Sequence, residues 1–156
     1  MSEKSGTFLV THADEDSAVL ADVRDTHVHT LSSNPGVEAG EVLEATVSPD
    51  PPMEVTWSVT AVEDRTKIPV ERSEERPTTQ AYDLHDDLAE GDVTTTERAG
   101  TGEVHVLAVP PAQTEDAVAD VEDDQATLER AARLGVNRVE IRFDADEGVV
   151  SVRYLP

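Results

Sequence analysis

Two histidines separated by one residue, in DTHVHTL over residues 25–31, form the stretch of this chain best suited to chemistry. Neutral imidazole is a common metal ligand, and Asp25 adds a carboxylate just upstream. On an extended strand His27 and His29 face the same side, about 7 Å apart. Zinc–nitrogen bonds of about 2.0–2.1 Å could then be shared if the rings converge. The alternation puts Val28 on the opposite face, so the simplest arrangement buries Val28 and leaves both imidazoles solvated. His12, expected on an adjacent strand, is the third metal candidate, whereas His85 and His105 are isolated. Surface imidazoles are the expected reading and a metal site the alternative.

Other constellations are sparser. The chain has no cysteine, which removes disulfides, thiol nucleophiles and thiolate metal sites. It has no Gly-x-Ser-x-Gly elbow. Gly100-Thr101-Gly102 starts like a dinucleotide fingerprint but precedes a strand rather than a helix, so it reads as a turn. Catalytic carboxylate pairs cannot be singled out among 34 acidic residues. The sharper deviation is electrostatic. From Leu128 to Pro156 five arginines balance five acidic residues, in a chain of net charge −22. Arg138 and Arg142 share the outward face of one predicted strand with Glu140 between them. Arg153 lies on the next strand, and Arg130 and Arg133 end the preceding helix. Guanidinium suits bidentate contact with phosphate or carboxylate, which makes these five the candidate binding residues. Cross-strand pairing with Glu140 is the structural alternative.

The elements that must position these residues fall into three stretches. Over residues 1–71, short alternating segments predict five or six strands: GTFLVTH (6–12), AVLADV (18–23), THVHTL (26–31), EVLEATV (41–47) and EVTWSVTAV (54–62), with a short one near Lys67–Val70. Leu43, Ala45 and Val47 share one face, as do Val55, Trp57, Val59 and Ala61. SPDPPM (48–53) is excluded from a central strand because each proline lacks a donor. This pattern predicts a small β-barrel, OB-like or SH3-like. Residues 72–102 are charged, proline-broken and weakly periodic, and are expected to be a linker or loosely packed segment. Residues 103–156 predict a β-α-β-β module. Its helix is capped by Thr114, breaks near Asp123–Asp124 and ends at Gly135, and Val139, Ile141 and Phe143 point inward. The expected class is therefore α+β.

Composition narrows the setting. The 156 residues carry 34 acidic side chains against 12 basic ones, of which two are lysines, Lys4 and Lys67. In ordinary salt such a charge implies self-repulsion and weak attraction for nucleic acid. At molar salt the Debye length falls to about 3 Å and the repulsion is screened. The acidity thus reports a high-salt solvent more than a partner. There is no long apolar run, and MSEKSGTF lacks a signal-peptide core, so a soluble cytoplasmic protein is expected.

GTFLVTH, the NPGVEAGEVLEATVSPDPPMEVTWSV block and TLERAARLGVNRVEIR with GVVSVRYLP together resemble a haloarchaeal family of unknown function, end to end. That resemblance implies a halophilic archaeal cytoplasm and brings no catalytic residues. The Gly-Val-x-x-Gly-acidic-Val turn at Gly36–Val42, with its strand spacing, is similar to OB-type nucleic-acid-binding barrels. Such barrels present aromatic and basic residues on their binding face, whereas Phe8 and Trp57 here sit in apolar alternation and read as core. DTHVHT is similar to the opening motif of metal-dependent phosphoesterases and amidohydrolases. Those families use larger barrels with further histidines and carboxylates. The resulting expectation is a non-enzymatic binding or adaptor protein that engages a protein partner through an open barrel edge and the C-terminal sheet. No cofactor and no membrane partner are expected. An RNA-associated factor using the arginine patch is the alternative, and a small metal-dependent hydrolase through His27 and His29 is the third reading.

Overall fold

The computed structural model describes residues 3–98 and 100–156. Among these, ten strands and three α-helices build two sheets, a mixed α+β architecture. The chain divides into two compact units. One runs to Ile68 and includes Leu128–Arg133, and the other comprises Pro69–Thr127 and Leu134–Pro156.

In the first unit β1 (Lys4–Ala13), β2 (Ala18–Asp22), β3 (Val28–Leu31), β4 (Glu41–Pro49) and β5 (Trp57–Lys67) close in the order β1-β2-β3-β5-β4. The closing seam is the one parallel contact, Leu31 beside Trp57, so no open edge remains between β3 and β5. Phe8, Val10, Leu20, Leu31, Leu43, Ala45 and Val47 fill the interior, with Leu43, Ala45 and Val47 on the face their alternation predicted. The β5 alternation does not survive. Bulges opposite Glu44/Ala45 and Thr46/Val47 shift its phase, so Trp57 and Val59 pack on the core while Ala61 turns outward. Val55 precedes the strand and is exposed. Ser48 and Pro49 close β4 with a neighbour on the β5 side alone, so no proline of residues 48–53 stands in a stretch of strand paired on both sides. Pairing with β1 ends at Val47, so no neighbour on that side needs a donor from Pro49.

The second unit holds a sheet of β6 (Val70–Arg72), β9 (Arg138–Asp144), β10 (Val149–Leu155), β8 (Glu103–Ala108) and β7 (Val93–Glu97), in the order β6-β9-β10-β8-β7. Three expectations change here. The strand near Val70 is the parallel edge of this sheet and not part of a barrel over 1–71. Residues 72–102 are no linker: they carry helix α1 (Thr79–Asp86) and β7, which pairs with β8 from Glu97–Glu103 to Val93–Leu107. The 103–156 module is therefore part of a five-stranded sheet rather than a separate β-α-β-β unit. Thr78 Oγ1 accepts a hydrogen bond from the Ala81 N–H at 3.2 Å and starts α1, which, with Leu88 just after it, packs Ala81, Tyr82 and Leu84 on Val104, Val106 and Val149. Further on, a 3₁₀ turn (Pro111–Gln113) leads into α2 (Thr114–Glu122) and then α3 (Gln125–Leu134). The predicted break falls between Glu122 and Gln125. Thr114 is not the cap; its hydroxyl donates back to the Pro111 carbonyl at 2.9 Å. Gly135, at φ +74°, ends α3 as its position implied. Val139 and Ile141 are buried and Phe143 is half-buried.

Candidate functional site

The DTHVHT stretch is inverted relative to its alternation. A turn intervenes: the Asp22 carboxylate accepts from the Arg24 and Asp25 N–H groups at 2.8 and 3.2 Å, and Thr26 adopts φ 65°. Strand β3 starts only at Val28, with His29 opposite Leu20, whose side chain is interior. His29 is therefore 4% exposed and Val28 62% exposed, while His27 precedes the strand and lies in solvent. The pair shares no face. His12 is exposed at the other end of β1. The three histidines do not converge, and among the described residues no group of three histidine, aspartate or glutamate side chains is placed to hold a metal.

What His29 joins is a polar cluster at one mouth of the barrel, which sequence patterns did not reveal. Its imidazole stands edge-on between Phe8 and Trp57, with ring centroids 5.6 and 4.5 Å away. Its Nε2 is 3.4 Å from Lys4 Nζ, and its Nδ1 is buried without a hydrogen-bond partner. Lys4 Nζ reaches Asp25 Oδ2 at 2.6 Å and Asp22 Oδ2 at 3.2 Å. Burial and the adjacent Lys4 charge lower the basicity of His29, keeping it neutral. Burial also opposes the Lys4 charge, but hydrogen bonds to Asp25 and Asp22 outweigh it and raise the ammonium above its usual range. An ammonium so paired is a poor nucleophile and a poor base, and its hydrogen bonds tie the N-terminal strand to the turn after β2. The opposite end is closed likewise: Arg65 Nε and Nη2 clasp the buried Glu41 carboxylate, each at 2.8 Å.

Beside the polar mouth, the turn that leads into Trp57 carries exposed apolar side chains. The β4–β5 turn is tightly bonded. Asp50 accepts from Ser58 Oγ at 2.6 Å and Thr56 Oγ1 at 2.8 Å, and the Glu54 N–H donates to the Asp50 carbonyl at 2.8 Å. This turn holds Met53 and Val55 outward, 75% and 71% exposed. Because β3 and β5 run parallel at their seam, Val28 lies at the same end of it as Val55.

The five candidate arginines separate. Arg130 is half-buried on α3, and Arg133 donates to the Val23 carbonyl at 3.0 Å. Arg138, Arg142 and Arg153 do meet on one face of the second sheet, around Glu140. Arg142 Nε donates to Glu140 Oε1 at 2.7 Å and Arg142 Nη2 to Glu75 at 2.8 Å. Arg153 Nε stands 3.1 Å and Arg138 Nη1 4.0 Å from the Glu140 carboxylate. The cross-strand pairing alternative describes Arg153, which stands opposite Glu140 on the neighbouring strand. Arg142 pairs along its own strand instead, and Glu75 is a partner no spacing predicted.

Fold and site define a two-unit α+β protein whose closed barrel is sealed at both ends by ion pairs, with exposed apolar side chains beside one of them. No helix among the described residues is long and apolar enough to cross a membrane. The chain belongs to a family of unknown function, DUF5812, whose model matches residues 4–143. No curated protein and no solved structure matches it.

Proposed function

We propose that this is a non-enzymatic binding protein of a high-salt cytoplasm, engaging a protein partner through apolar side chains beside the polar barrel mouth. One observation carries the reading: Met53 and Val55 stand exposed on a hydrogen-bonded turn, and Val28 is exposed at the start of the strand that meets β5 beside it. Large apolar side chains grouped on a well-bonded scaffold are a feature of interaction sites. The flanking charges, Asp25 and Glu54, are acidic, as is the chain as a whole. The fitting partner therefore sets apolar side chains within a basic ring.

An RNA-associated reading draws support from the closed five-stranded barrel with a single parallel seam, the arrangement of OB-type barrels. Against it, Phe8 is interior, Trp57 is half-buried, and Arg138, Arg142 and Arg153 turn toward the Glu140 carboxylate rather than outward from the barrel. The discriminating experiment is affinity capture in molar KCl with wild type, Met53→Asp/Val55→Asp, and Val93→Asp as an exposed apolar control on the other unit. A partner retained by wild type and Val93→Asp but lost by the double variant is expected, with direct binding of the purified partner at the same salt. Equal recovery by all three sinks the reading. RNA recovered with wild type and lost on Arg138→Glu/Arg142→Glu replaces it with the alternative.

A further inference from the structure

On the face of the second sheet that α1 covers, β10 sets Ser151 and Arg153 two residues apart, about 7 Å along the strand. Each carries a polar atom shut off from solvent that makes no hydrogen bond: Ser151 Oγ, on a residue 1% exposed, and Arg153 Nε. Arg153 Nε lies at ion-pair distance from Glu140 Oε1, 3.1 Å, but lacks the alignment a hydrogen bond requires. Buried polar side chains are hydrogen-bonded in the great majority of proteins, so two unserved donors side by side point to a ligand that accepts from both.

The third donor is next to them. Arg142 stands opposite Ser151 on β9, with its side chain 17% exposed. Its Nη2 is held by Glu75 Oε2 at 2.8 Å, from a loop where the Glu75 side chain is itself 71% exposed. An exposed carboxylate on a half-buried guanidinium is a weakly held acceptor, readily exchanged for another anion. The other charges on this face are Glu140 opposite Arg153, Glu71 beside Glu140 on β6, Arg138, Arg98, whose charge reaches Arg153, and Asp144, which Arg76 and the Tyr82 hydroxyl hold at its far end. Five arginines against four carboxylates leave a local excess of positive charge in a chain of −22. Burial and then the Arg142 charge press on the Arg153 guanidinium, marking it as an under-compensated cation.

We propose that Ser151, Arg153 and Arg142 form a binding site for a small tetrahedral oxyanion, phosphate or a phosphate monoester, with Glu75 as the intramolecular carboxylate it displaces. Hydroxyl and guanidinium donors on three residues call for a ligand with three or more acceptor oxygens. A planar carboxylate offers only two.

The test is calorimetric titration and thermal shift of the full chain with inorganic phosphate, and with acetate at matched ionic strength. Phosphate is expected to bind and raise Tm while acetate does neither. Glu75→Gln tightens phosphate binding about threefold or more. Ser151→Ala and Arg153→Lys each weaken it by about tenfold, the scale of a lost hydrogen bond to a charged group. Ser151→Ala removes a single oxygen, so it remains informative if an Arg153 variant fails to fold. Absence of phosphate binding overturns the proposal. So does equal protection by acetate, or phosphate protection unchanged by both Ser151→Ala and Glu75→Gln, which would be a general salt effect.

Discussion

At the scale of single residues, His29 is the most consequential side chain. It is interior, lacks a partner for Nδ1 and lies beside an ammonium, so the folded protein holds a proton there less tightly than an unfolded chain does. Unfolded histidine titrates near pH 6.5, so as pH falls below about 6.5 the unfolded state takes up more protons and stability declines. Lys4 has the opposite sense: its raised affinity for protons stabilises the fold below about pH 10.5 and is lost above it. Asp22 and Asp25, held below the usual carboxylate range, add stability that disappears only as pH drops below about 3.8. The cluster is therefore most stabilising between about pH 6.5 and 10.5. In His29→Phe, which keeps a ring between Phe8 and Trp57, the decline in Tm between about pH 7.5 and 5.5 is expected to flatten. An unchanged decline would place the titrating group elsewhere.

At the scale of elements, β9 and β10 are coupled through Glu140. Its carboxylate is 13% exposed and faces Arg142, Arg153 and Arg138. Glu140→Gln leaves guanidinium groups on a half-buried face without their counter-charge, and urea unfolding should register a loss of about 1–3 kcal/mol. Helix α3 depends on a smaller device: Asp124 Oδ1 accepts from the Ala126 N–H at 3.0 Å, so Asp124→Ala should cost about 1 kcal/mol in the same assay. A cost for Asp124→Ala as large as for Glu140→Gln would contradict this ranking. What sequence patterns revealed divides along the same lines. Strands with one apolar face against a core, such as Leu43-Ala45-Val47 and Val139-Ile141, announced themselves because burial enforces a period of two. In DTHVHT the alternation was equally clear but its phase was not. Hydrophobicity favours Val28 inward, yet the Asp22-centred turn and the pairing of His29 with Leu20 set the opposite phase. Nothing local to residues 25–31 encodes Lys4, 25 residues away from His29, whose charge and carboxylate partners make a buried imidazole tolerable. The same holds for β7 and α1. VTTTE is polar, and only its β-branched threonines hinted at a strand that β8 completes.

At the scale of the whole molecule, the net charge of −22 should set how stability depends on salt. Asp14–Glu15–Asp16, Asp86–Asp87 and Glu122–Asp123–Asp124 place carboxylates on consecutive residues, whose Cα atoms are about 3.8 Å apart. These separations lie inside the Debye length of about 10 Å at 0.1 M salt but outside the value of about 3 Å at 1 M. Repulsion within each run is therefore felt in dilute buffer and largely removed in molar KCl. The interior does little to offset it, because its largest buried side chains are one phenylalanine, a few leucines, one isoleucine and many valines. Stability should accordingly rise steeply with KCl between about 0.1 and 2 M, then continue upward more gently as salt strengthens apolar burial. Surface pairs such as Lys67–Glu38, both exposed, would instead weaken over the same range, but two lysines and ten arginines are too few to reverse the trend. Thermal unfolding followed by circular dichroism across a KCl series decides the matter. Replacing Asp123 and Asp124 by asparagine should raise Tm at about 0.1 M and leave it nearly unchanged at about 2 M. A protein fully stable in dilute buffer, or a double variant that gains equally at both salts, would show that the acidic excess serves a partner and not the solvent.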